Sequence, residues 1–385
     1  MALMRTKLTH AGSAALAAAS LTTIAALGCG GGGATGAGGA SSGAGGSTSS
    51  GTGTSGAGGS KAIACPGQPA ELALGGTWAA YGQLSVKLQG AAGGAITICP
   101  TDQVGAATLL VLMTVTPNAA DPTKLDAVHA TLCSVDLPTV TALVGTCNPG
   151  SPSLVTTQII TPKAVIDALP KVVTQPATGT VSGKSVGATV VLGPLDVTVG
   201  SSKSAPDLPR WDTTTPSCNA ADLGHNNACA TTCVSDCASL RDDDQDSFPG
   251  VTMQVCGYTA DDTKKGVMCH ADMPGVQGAT LQGKAFLDIE VNPTLHGTVK
   301  SSCEIIGTVD SKVLYNIVGA DLRLVGQALA VSSAIKSLPT FQVDPQASKL
   351  RMVRIDGQYG APDWKVDPTQ PSAACATLNM RVNEL

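Results

Sequence analysis

Apolar side chains recur at every second position along this chain, and that rhythm commits it to strands. Leu84, Val86 and Leu88 alternate with Ser85 and Lys87. Val128, Ala130 and Leu132 alternate with His129 and Thr131, and Val251, Met253 and Val255 with Thr252 and Gln254. In the longest run, residues 281–291, Leu287, Ile289 and Val291 face one way. Asp288 and Glu290 face the other, where two carboxylates could act as a hydrolytic pair but are expected to form a solvated strand face. A period of two places alternate residues on one face of a strand and scatters them around a helix. Residues 108–111 (Thr-Leu-Leu-Val) and 189–192 (Thr-Val-Val-Leu) lack polar alternation and read as more fully buried strands. Gly and Pro between the runs supply turns. Two spans break the rhythm: a short helix is expected over 162–169, with Pro162 at its start, and a longer one over 324–337, weakened by Gly326. The expected fold is therefore all-β, sandwich or barrel-like, with one or two short helices.

The N-terminus has a different character. Arg5 and Lys7 precede an acid-free, small and apolar run over 11–28, which ends in Ala26-Leu27-Gly28-Cys29. Residues 30–60 are only Gly, Ala, Ser and Thr, and the first acidic residue of the chain is Glu71. A positive start, a short apolar stretch and small residues at the cut are what a secretory signal needs. Together these segments resemble the signal peptide, lipobox and tether of a Gram-negative bacterial envelope lipoprotein. Leu27 and Ala26 depart from the family's usual choices at those positions, whereas Gly28 fits. The resemblance implies removal of residues 1–28, acylation of Cys29, and a lipid anchor in the cell envelope with membrane lipid as the partner of that foot. Gly30 in place of Asp leans toward the outer membrane. The tether, with no large apolar side chain, is expected to stay a flexible spacer of roughly 30 Å.

With Cys29 set aside, twelve cysteines remain: Cys65, Cys99, Cys133, Cys147, Cys218, Cys229, Cys233, Cys237, Cys256, Cys269, Cys303 and Cys375. An even number in an exported chain reads as disulfides, in a connectivity that spacing does not reveal. Such bracing suits a chain with only three Trp, four Tyr and three Phe, whose core must be aliphatic. At 43% hydrophobic and 13% charged, the chain is not a disordered one. Its net charge is −5, and no basic cluster offers a nucleic-acid surface. Residues 201–250 hold four cysteines and Pro206, Pro209 and Pro216 among few apolar residues. They read as a connector between a β lobe at 61–200 and another at 251–385.

Chemistry-bearing motifs are few. Residues 242–250, Asp-Asp-Asp-Gln-Asp-Ser-Phe-Pro-Gly, put Asp242, Asp244 and Asp246 at alternate positions, so three carboxylates can turn toward one hard cation such as Ca²⁺. The run resembles the acidic loops of thrombospondin type 3 and related extracellular calcium modules. It departs from them at Ser247, where they place Gly, and Met253 rules out a full EF-hand. A solvated acidic loop is the plainer alternative. Cys229, Cys233 and Cys237 with His225 and His270 invite zinc, but an oxidising compartment favours bridged thiols. Gly183-Lys-Ser185-Val-Gly187 matches the hydrolase nucleophile pattern, yet a strand-like run follows it where a helix is required. His129 and His296 stand singly on strands. Gly297-Thr-Val recurs as Gly307-Thr-Val, the spacing of neighbouring strands in a hairpin. The expected function is an anchored envelope lipoprotein with a binding or structural role toward a protein or glycan. Two alternatives stand beside it: an envelope hydrolase with a site assembled from distant loops, and a lipid-carrying β barrel, which a continuous apolar cavity would single out.

Overall fold

A computed structural model describes residues 63–89, 96–98, 102–137, 140–144, 154–172, 174–212, 233–264, 280–331 and 340–385. The leader, Cys29 and the tether lie outside them. The strands are β1 (Gly76–Gln89), β2 (Ile96–Ile98), β3 (Asp102–Pro117), β4 (Lys124–Asp136), β5 (Val140–Val144), β6 (Leu154–Ile160) and β7 (Ala177–Val181). They continue with β8 (Thr189–Leu192), β9 (Val197–Val199), β10 (Val251–Tyr258), β11 (Leu281–Ser301), β12 (Glu304–Leu324), β13 (Gln327–Leu329) and β14 (Thr340–Arg354). Each predicted alternating run falls on one of them.

Pairing order decides between sandwich and barrel. Strands β12, β14, β1, β3, β4, β7, β8 and β11 follow one another, and β11 pairs back onto β12 along nearly its whole length. These strands close an antiparallel barrel, which removes sheet edges that would otherwise template aggregation. The far edge of β11 carries three partners in succession: β8 at 295–298, β9 at 289–291 and β10 at 281–287. Beyond β10 the sheet continues through β6, β5 and β2. The pairing does not divide at residues 200 and 250: β1 lies between β14 and β3, and residues 59–385 form one compact unit. The expected two lobes and connector are thus replaced by interleaved strands.

The hairpin expected from the repeated Gly-Thr-Val is β11–β12, with Gly297 directly opposite Gly307. A Cβ on Gly307 would stand 1.8 Å from the carbonyl oxygen of His296, so only glycine lets these strands approach. Of the helix expected over 324–337, residues 324–330 are not helical, Val331 is helical, and residues 332–337 lie outside the described residues. Leu324 pairs with Gln327 across Val325 and Gly326, both with positive φ (51° and 77°), which is a tight hairpin turn. The helix expected at 162–169 is present as α1 (Lys163–Ala168), followed by a 3₁₀ turn at Leu169–Lys171. Helix α2 (Ala260–Lys264) is short, and α3 (Pro371–Met380) has no counterpart in the sequence reading.

The missing alternation at 108–111 has a structural cause. Leu109 and Val111 point into the barrel, while Leu110 and Leu112 point outward into a second layer with Trp364, Ala374 and Leu378. Both faces of β3 are covered, so both are apolar. A disulfide, Cys133–Cys375, fastens α3 to β4, and Cys65–Cys303 fastens the N-terminal segment beside the β11–β12 turn. Cys233, Cys237 and Cys256 are also disulfide-bonded. Cys99, Cys147, Cys218, Cys229 and Cys269 lie outside the described residues. The Cys65–Cys303 and Cys133–Cys375 bridges each close a loop of about 240 residues (separations 238 and 242). In the chain-entropy account a loop of that size contributes up to about 5 kcal/mol.

Candidate apolar binding site

One end of the barrel is filled and the other is hollow. At the filled end Trp78, Met113, Leu192 and Met352 are almost wholly buried together. The indole nitrogen of Trp78 donates to the Leu74 carbonyl. Arg354, fully buried, lies over the Trp78 ring and donates to the carbonyls of Ala73, Gly75 and Ser302. Its charge is therefore matched by carbonyl dipoles as well as by Asp356, 3.2 Å away. There β7 pairs with β4 at 124, 125 and 128, and β8 seals onto β11.

Further along, β4 and β11 part. Residues 129–136 of β4 have no β7 partner, and α1, its 3₁₀ turn, β9 and β10 bring side chains into the gap. A cavity of about 160 Å³ remains there. Leu84, Val86, Leu109 and Val343 line it from the barrel, and Val165, Val197, Val199, Val251 and Met253 from the opposite side. Leu287, Ile289 and Val291 face it from β11, as their period predicts. Except for the Tyr315 hydroxyl, every lining side chain is a hydrocarbon or thioether. Burial pushes the Tyr315 phenol well above its usual range, so it stays neutral. Tyr315 packs against Phe341, with ring centroids 5.3 Å apart. Tyr315, Phe341, Val313, Leu132 and Val135 are only half-buried, so the cavity wall reaches solvent along an apolar rim.

Asp288 and Glu290 are not the solvated pair that alternation predicts. Segment 201–212 crosses the outer face of β11 and buries both. Glu290 accepts from the Ala205 amide and from Asn292, and Asn316 donates its side chain to the Pro209 carbonyl. Asp288 is fully buried, accepts from the Asn316 amide through Oδ1 (3.2 Å), and leaves Oδ2 without a partner. Burial raises its pKa to about 7, against the opposing pull of Asn316. The two acids lie under a strap and do not face a cleft, so they are not placed as a hydrolytic pair.

The acidic run stays local and gathers. Asp242, Asp244 and Asp246 bring one carboxylate oxygen each within 4.8 Å of one another. Ser247, where related loops carry Gly, takes φ 72°, and Gln245 takes φ 59°. Asp242 accepts from the amides of Asp246 and Ser247, and Asp244 from Thr252. Burial, reinforced by the charges of Asp246 and Asp242, raises the Asp244 pKa to about 6.

The remaining motifs carry no site geometry. Ser185 is exposed in the turn before β8, with no helix after it. His129 and His296 are exposed on β4 and β11. Bridged Cys233 and Cys237 are not thiolate ligands, while His225, Cys229 and His270 lie outside the described residues. The sequence raises a lipid-carrying barrel only as an alternative and does not single out the residues that line the cavity, because a lining residue and a packed core residue have the same period. The one available signal was aromatic scarcity: an eight-stranded barrel is just wide enough for its side chains to fill, and Val, Ala and Leu fill less. No family model, curated protein or solved structure matches the chain.

Proposed function

We propose that this chain is a lipid-anchored envelope protein whose barrel holds the apolar tail of a small amphiphile. The observation that carries the reading is the hydrocarbon-lined cavity at the hollow end of the barrel. Such a space stays dry, and one of about 150 Å³ accepts a guest the size of benzene. Here about 160 Å³ suits roughly the last six carbons of an alkyl chain. A charged head has no partner inside and would lose several kcal/mol on entry. The half-buried rim at Val313, Tyr315 and Phe341 lets the head remain in water. Binding of this kind needs no catalytic group. The Cys29 anchor would keep the site near a membrane, which is a source of such tails.

Titration with straight-chain alcohols from butanol to decanol tests this. Each methylene buried is expected to add about 0.8 kcal/mol, or roughly fourfold in affinity, until the cavity fills near six carbons. Ala107→Leu, which extends a side chain into the cavity, should move that plateau to shorter chains. Affinity that ignores chain length, or a plateau that Ala107→Leu leaves in place, defeats the reading.

A further inference from the structure

We propose that the acidic loop at 242–250 takes a divalent cation, with Ca²⁺ the best fit, and that its occupancy braces one wall of the apolar cavity. The inference rests on the reading of that cavity as the binding site. Two independent observations point to a ligand at the loop. Three carboxylates converge within 4.8 Å, and among the described residues no Lys or Arg pairs with any of them. Asp244 is also nine-tenths buried, with Oδ1 lacking any hydrogen-bond partner. An orphaned carboxylate oxygen beside two more carboxylates is a donor set for a hard cation, which takes six to eight oxygens and completes its shell with water.

The loop is tied into the cavity wall at three points. Asp244 Oδ2 accepts the Thr252 amide (3.0 Å), and Thr252 lies between Val251 and Met253, which both line the cavity. Asp243 Oδ2 accepts the Gly200 amide (2.7 Å), directly after the lining residue Val199. Phe248 stacks on Phe286 at 4.5 Å, next to the lining residue Leu287. The backbones are in contact as well: a Cβ on Gly200 or Gly250 would come within 2.5 Å of the Leu287 carbonyl oxygen. A cation that neutralises the three acids holds the loop, and through these ties it holds β9 and β10 against β11. The converse follows by linkage: a tail seated in the cavity must tighten the cation by the same factor.

The test uses the full chain and two probes, CaCl2 and hexanol. Calorimetry should give a calcium Kd of about 10⁻⁴–10⁻³ M, in the range of extracellular sites. Asp246→Asn, at a less buried position, and Asp244→Asn should each weaken it at least about tenfold. Hexanol should bind about fivefold or more tighter with saturating calcium than with chelator, and neither variant should show that difference. Unchanged calcium heats in both variants overturn the site. Calcium and hexanol binding that ignore one another overturn the coupling while the cavity reading stands. Failure of hexanol to bind in either condition overturns the cavity reading and the coupling together, and the calcium titration still reports on the loop.

Discussion

Replacing Asp288 with Asn isolates the cost of one buried carboxylate, and the structure fixes its size and pH window. Asp288 is fully buried under segment 201–212, with Oδ2 unpartnered, and its pKa is raised from 3.8 to about 7. The folded state therefore holds a proton that the unfolded chain releases anywhere between those values. Below pH 3.8 both states are protonated and the side chain carries no penalty. As pH rises toward 7 the unfolded state gains by ionising and the folded state does not, so stability falls. A shift of about 3 units at about 1.4 kcal/mol each makes the full loss about 4 kcal/mol. Asn keeps the shape and the acceptor for the Asn316 amide, and it cannot ionise. Urea denaturation followed by far-UV circular dichroism, from pH 4 to 8.5, reads the difference between the two proteins. It should be near zero at pH 4, grow in favour of Asp288→Asn with each pH unit, and level off above pH 7 at up to about 4 kcal/mol. A difference that stays flat with pH, or wild type gaining stability relative to the variant as pH rises, refutes the reasoning.

Other consequences are simpler to state. Cys29→Ser should move the protein from the membrane fraction to the soluble one and abolish incorporation of labelled palmitate; persistent membrane attachment would end the anchor proposal. The double replacement Cys133→Ala with Cys375→Ala frees α3 from β4 and should lower unfolding free energy by up to about 5 kcal/mol. Hydrogen exchange should then report faster exchange in α3 first, and unchanged protection there would argue against the bridge as its fastening.

What the sequence made legible was local. Alternation placed β1, β4, β10 and β11, and the Gly297 and Gly307 repeat marked a hairpin whose strands must come close. The acidic run was visible because its three carboxylates sit within five residues. Readings failed where a distant segment decides the outcome. Alternation at Asp288 and Glu290 correctly gave opposite faces, but it could not show that residues 201–212 cross over the polar one. At 324–330, the start of the expected longer helix, the left-handed backbone of Val325 and Gly326 makes a turn instead. Helix α3 went unread because only Ala374, Cys375 and Leu378 face inward, and two of those are small. The cavity was least visible of all: its wall is drawn from strands on both sides of the chain, and an unfilled volume leaves no mark on periodicity.

Crystals of the protein under xenon pressure test the hollow barrel most directly, because xenon enters dry apolar cavities of this size and needs no knowledge of the natural ligand. Strong xenon density should appear between Leu109 and Val343 on one side and Val199 and Met253 on the other. Ordered water in that space, or xenon bound only elsewhere, would contradict it.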